Sequence, residues 1–135
     1  MRSIPLLAVA AAFASPAFAV DVAEVAPDPR ISFRVNAQVP IEFSLIDARK
    51  GEGGRLTPVF SNYSPRVVLD DGSELHCRLS IPAPQRSVAP GETADATMSC
   101  SDVLVAHRDG TRFEMWEGRK RVALGRVRVE ALQQD

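Results

Sequence analysis

Apolar residues recur at every second position through much of this chain. Val39, Ile41, Phe43 and Leu45 alternate with polar or small residues, as do Leu75, Cys77, Leu79 and Ile81. Ala94, Ala96, Met98 and Cys100 repeat the pattern against Asp95, Thr97 and Ser99, and Phe113 and Met115 continue it. A period of two sends one side of each segment to a core and the other to water, which is a strand and not a helix. Val122 and Leu124 share one parity and Val127 and Val129 the other, so a β-bulge is expected at the intervening Gly125 to return both pairs to one face. Asp70-Asp71-Gly72 and Asp109-Gly110 supply turn chemistry, and Pro82, Pro84 and Pro90 mark a connection that cannot pair as a central strand. Nothing after the first 19 residues sustains a helical period. The pattern predicts an all-β chain of about six or seven strands.

The N-terminus follows a different logic. Arg2 precedes the apolar run from Ile4 to Phe13, and Ala17-Phe18-Ala19 has the small-x-small form of a signal-peptidase site. A signal peptide over residues 1–19, cleaved after Ala19, is expected. The run is too short to cross a bilayer, which takes about 20 apolar residues, and no other stretch qualifies. The expected product is periplasmic or secreted, without a membrane span. Removing 19 of 135 residues leaves 116, enough for one domain. Residues 20–38 read as a lead-in in which Ile31, Phe33 and Val35 alternate and could add one strand, and residues 39–135 as the β-barrel domain. The net charge of −1 excludes bulk recruitment to nucleic acid or an anionic membrane. A monomer is expected.

Two cysteines in an oxidising compartment pair most simply as one disulfide. Cys77 shares parity with Leu75 and Leu79, and Cys100 with Met98 and Ala96, so both sulfurs point to the core. His76 and His107 would complete a set of metal-ligand types. His76 and Cys77, however, are strand neighbours whose side chains leave opposite faces, so no metal and no cofactor are expected.

Several fragments together resemble a known family. Glu52-Gly53-Gly54-Arg55, Thr57-Pro58, Phe60, Tyr63 and Pro65 are followed by Val88-Ala89-Pro90-Gly91-Glu92. Then come Gly110, Arg112-Phe113, Glu117-Gly118, and Gly125 with the closing valines. In this order and spacing, from about Ile41 to Val129, they are similar to the C-terminal (third) domain of bacterial elongation factor Tu. The resemblance implies a closed six-stranded antiparallel Greek-key barrel. It also implies that Arg55, Thr57, Glu117 and Gly118 match segments that contact tRNA in the family. Three positions depart from the pattern: Leu56 stands where the family has histidine, Trp116 where it has arginine, and Arg119 where it has a second glycine. The phosphate-binding G-x-x-x-x-G-K-[ST] run of the GTPase domain does not occur. A translation role is therefore not expected, and fold alone does not fix function.

The sequence nominates one binding surface: Arg49, Lys50, Arg55 and Thr57 in the first loop, with Trp116, Glu117, Gly118, Arg119, Lys120 and Arg121 near the last. Trp116 is one position off the Phe113–Met115 parity and is expected to face outward as a contact residue. The expected partner is a protein or an anionic envelope ligand. Nucleic acid, chiefly RNA, is the alternative. A small hydrolase is the second, resting on Ser73 with Asp71 and His76, or Ser101 with Asp102 and His107; neither set has a nucleophile-elbow pattern. No catalytic residue is assigned.

Overall fold

The computed structural model describes residues 28–133, so the expected signal peptide and residues 20–27 of the lead-in lie outside the described residues. Ten strands are present there: β1 (Arg30–Phe33), β2 (Val39–Leu45), β3 (Val59–Phe60), β4 (Arg66–Leu69) and β5 (Glu74–Ser80), then β6 (Ser87–Val88), β7 (Thr93–Cys100), β8 (Leu104–His107), β9 (Thr111–Glu117) and β10 (Lys120–Val127).

Six of them close a barrel in the order β10-β2-β7-β5-β4-β9. Every neighbouring pair is antiparallel. The strands β4, β5 and β7 follow one another around the ring and β2 lies beside β7, which is a Greek-key order. Closure leaves the barrel no free sheet edge. β1 pairs with β8, and β3 with β6, as two-stranded ribbons outside it. In the lead-in, Phe33 is buried within β1, whereas Val35 lies beyond the strand and is exposed.

The alternation in the sequence is the alternation in space. Val39, Ile41, Phe43 and Leu45 are all buried, as are Leu75, Cys77, Leu79, Ala94, Ala96, Met98, Phe113 and Met115. Cys77 and Cys100 sit directly opposite each other on β5 and β7 and form the disulfide, while His76 faces outward. With each sulfur bonded to the other, neither is available to a metal.

The last strand differs from expectation. The register between β9 and β10 slips between Arg121 and Ala123, so the bulge lies at Val122 and not at Gly125. Val122 and Ala123 are both buried, and Leu124 points out, 45 % exposed. Gly125 instead occupies an inward position opposite Phe113 on β9 and Phe43 on β2. A Cβ there would overlap the Phe113 ring and approach the Glu42 carbonyl oxygen to 2.8 Å. The glycine makes room for an aromatic ring; the bulge lies elsewhere.

Candidate binding face at the barrel rim

The chain leaves β2 through a 3-10 turn at Ala48–Lys50 and doubles back on itself. The Arg55 N–H donates to the Ile46 carbonyl at 2.9 Å and the Ala48 N–H to the Arg55 carbonyl at 3.2 Å. Asp47 holds the turn: its buried carboxylate accepts from the Arg49 backbone N–H and guanidinium, each at 3.0 Å. The Arg49 side chain, and then its N–H, keep the Asp47 carboxyl below its ordinary range.

Gly53 and Gly54 explain themselves here. Both have positive φ, at 77° and 83°. A Cβ on Gly54 would lie 2.8 Å from the Ala48 nitrogen, and one on Gly53 would lie 2.5 Å from the Arg121 carbonyl oxygen. Only glycine lets this loop lie so close to β10. The Gly54 N–H donates to that same Arg121 carbonyl at 2.8 Å. Two segments nominated from the sequence, more than 60 residues apart, therefore share one end of the barrel. The Pro90-Gly91-Glu92 turn joins them there: Gly91 N–H donates to the Leu45 carbonyl at 2.7 Å, and Leu45 N–H to the Glu92 carbonyl at 3.0 Å.

Several nominated residues use their chemistry on one another. The Arg55 guanidinium and the Tyr63 hydroxyl both donate to the Glu117 carboxylate. Arg55 also donates to the Thr57 hydroxyl at 3.0 Å and carbonyl at 3.2 Å, and stacks 5.2 Å from the Tyr63 ring centroid. Burial pushes the Glu117 carboxyl up, but the Tyr63 hydroxyl and Arg55 outweigh it and hold the group below its ordinary value. Burial, and next the Glu117 carboxylate, raise the Tyr63 phenol well above its ordinary value. Arg55, Thr57 and Glu117 form an internal clamp that ties loop to hairpin.

Trp116 is on the outer face but is covered. Its Nε1–H donates to Glu114 at 3.1 Å, and the Arg66 guanidinium lies 5.6 Å from the indole centroid. Arg66 also donates to the Gly118 carbonyl at 2.9 Å and pairs with Glu74 at 3.1 Å. Arg121 pairs with Glu114 at 3.1 Å. Trp116 thus faces outward, and its cross-strand pairing with Arg66 spreads a guanidinium over the ring.

What remains unengaged is a smaller set. On this rim Lys50, Arg119 and Lys120 are exposed and make no ion pair, and the same holds for Arg34, Arg78, Arg86 and Arg112 elsewhere among the described residues. Of the carboxylates on this rim, Glu52 and Glu92 likewise have no cation beside them, and Glu92 accepts from the Ala89 N–H at 2.8 Å. Leu56, between Arg55 and Thr57, is 70 % exposed, and Phe60 is 58 % exposed. Neither is among the residues nominated from the sequence, although an apolar residue inside a glycine-rich, charged loop is an available signal. Tyr63 and Arg66 are also absent from that set, because their partners are distant in sequence.

Other parts of the surface are less suited to a ligand. A depression of about 440 Å³ gathers Arg108, Arg112 and Arg126, but Asp70, Asp109 and Glu130 line it too. Arg126 is already paired with Glu42 and Glu130. In the serine sets, the Ser73 hydroxyl donates to Asp71 in the β4–β5 turn and Asp102 accepts from the Val103 N–H. No hydrogen bond joins a serine to either histidine side chain among the described residues. No protein-family model matches the sequence.

Proposed function

We propose that this protein is a non-catalytic binding module that works outside the cytoplasm and engages its partner with the barrel rim built from residues 47–60 and 116–121. The observation that carries this reading is the clamp. Arg55, Tyr63 and Glu117 are spent on fixing two distant loops side by side, while Lys50, Arg119, Lys120, Leu56 and Phe60 are left facing solvent on them. A preorganised surface loses less freedom on binding than a mobile one. Exposed large apolar residues clustered on one rim are a mark of contact surfaces. The disulfide and the expected leader support an exported setting. The partner is a protein or an anionic component of the envelope. The elongation-factor resemblance accounts for the barrel, and the reading includes descent from such a domain without its translation role.

A photo-crosslinking side chain placed at position 56 or 119 in cells tests this. Discrete adducts are expected from both positions and none from position 78 on β5, which lies opposite β10 in the ring. Adducts from position 78 alone, or neither protein nor lipid adducts from any position, overturn the assignment of the face.

The RNA-binding alternative draws on the same three rim cations, but base stacking needs free aromatic faces, and with Trp116 capped by Arg66 the exposed ring on the rim is Phe60. Affinity for single-stranded RNA that falls steeply with salt would favour that alternative over the first reading.

A further inference from the structure

We infer that the rim docks on an anionic lipid surface, with Leu56 and Phe60 entering the headgroup layer and Lys50, Arg119 and Lys120 meeting the phosphates. This rests on the reading of the rim as the contact face and specifies what it contacts. Leu56 and Phe60 are the two most exposed large apolar side chains among the described residues. Leu56 belongs to a loop that the Arg55–Glu117 and Gly54–Arg121 bonds hold against the β9–β10 hairpin. Phe60 lies four residues on, in β3 opposite Ser87 of β6, and the turn after it returns to Glu117 through the Tyr63 hydroxyl.

The charge is complementary to such a surface. Three unpaired cations stand against two carboxylates without a cation, Glu52 and Glu92, although the chain as a whole is slightly acidic. Glu92 is turned to its own backbone at Ala89, which leaves Glu52 as the free carboxylate of the loop. The other charges of the rim are internally neutralised: Arg49 by Asp47, Arg55 by Glu117, and Arg121 by Glu114. Apolar side chains ringed by unpaired Lys and Arg are the arrangement that interfacial binding requires, because apolar insertion and attraction to anionic headgroups add. A protein interface would call instead for a central aromatic or arginine anchor free to enter a partner's pocket. The rim's tryptophan and Arg66 are engaged with each other, and Arg55 with Glu117, so Arg119 and the Phe60 ring are the groups of that kind left free, beside two lysines.

The test is flotation with vesicles of phosphatidylglycerol and phosphatidylethanolamine, against vesicles of phosphatidylcholine alone. Protein from the exported fraction is used, with leader removal checked by mass. Association with the anionic vesicles only is expected, weakening with salt. Since each Lys or Arg near such a surface strengthens binding roughly fivefold, the combined K50E/R119E/K120E variant should lose about a hundredfold or more. L56S/F60S should also weaken association. All five positions are exposed, and far-ultraviolet circular dichroism checks that each variant stays folded. Equal binding to neutral vesicles, no binding, or binding unaffected by either set of substitutions overturns the inference. Crosslinked protein at positions 56 and 119 without vesicle binding overturns it too, and leaves the rim as the contact face. Vesicle binding that survives the substitutions, with no crosslinks at the rim, overturns both.

Discussion

Glu117 shows how far a single residue's role depends on partners that sequence cannot bring near. The sequence nominates it with Arg55 and Thr57 as a contact residue, and the structure does bring the three together, but to bind one another. Arg55 is 62 positions away and Tyr63 is 54, so no local pattern announces the clamp. Its consequence is measurable. The folded-state carboxyl of Glu117 is held below its ordinary value, so its stabilising contribution is full above the unfolded value of about 4.3 and is lost as pH falls through the lower folded value. Hydrogen bonds to a charged group contribute about 1.5–3 kcal/mol. Glu117→Gln should therefore lower unfolding stability by about that amount at pH 7. The gap between denaturant titrations of the two proteins should narrow progressively as pH falls below the unfolded value of about 4.3. A gap that persists unchanged at pH 3 would mean that the carboxylate charge is not what the clamp uses.

At the scale of the strand, the period of two is legible and its exceptions are not. β2, β5 and β7 are those predicted by alternation, because a barrel wall with one wet and one dry face must alternate. β8 escapes that pattern. Val103-Leu104-Val105-Ala106 is continuously apolar, since it lies in an outer two-stranded ribbon, where Val105 is exposed and Leu104 and Ala106 are buried. In β10 the expected bulge falls three residues too late: Val122 and Leu124 agree in parity, and only the pairing with β9 shows that a bulge turns Val122 inward and leaves Leu124 out. Gly125 is informative for a different reason, as the floor beneath Phe113. Gly125→Ala should cost about 1–3 kcal/mol by overpacking, because the ring has to move and the Glu42 carbonyl is backbone that cannot swing away. Thermal unfolding checks this. Pairing Gly125→Ala with Phe113→Leu should return part of the loss, whereas a bulge requirement would not be relieved by that second change.

For the molecule as a whole, one strand, β7, runs from the rim beside β2 to the disulfide. Thr93 begins β7 beside Ser44 at the rim, and Cys100 ends it, bonded to Cys77 roughly 23 Å away at the usual rise per residue. The core is filled mainly by small aliphatics, so a covalent link between β5 and β7 weighs heavily in a domain of this size. It constrains a loop of 23 positions that includes Pro82, Pro84 and Pro90, for roughly 3 kcal/mol in the chain-entropy view. The shared inward parity of the two cysteines makes this bond legible in the amino-acid sequence alone. C77S/C100S should accordingly unfold roughly 10–25 °C lower than the parent protein, while keeping its strand signature at 25 °C. Thiol titration of the parent should find no reactive thiol until it is denatured and reduced. Because the rim is held by its own clamp and backbone bonds, the same variant should engage anionic vesicles like the parent at any temperature where it remains folded. A loss of vesicle binding in the folded variant would show that the disulfide shapes the contact face and does more than hold the barrel shut.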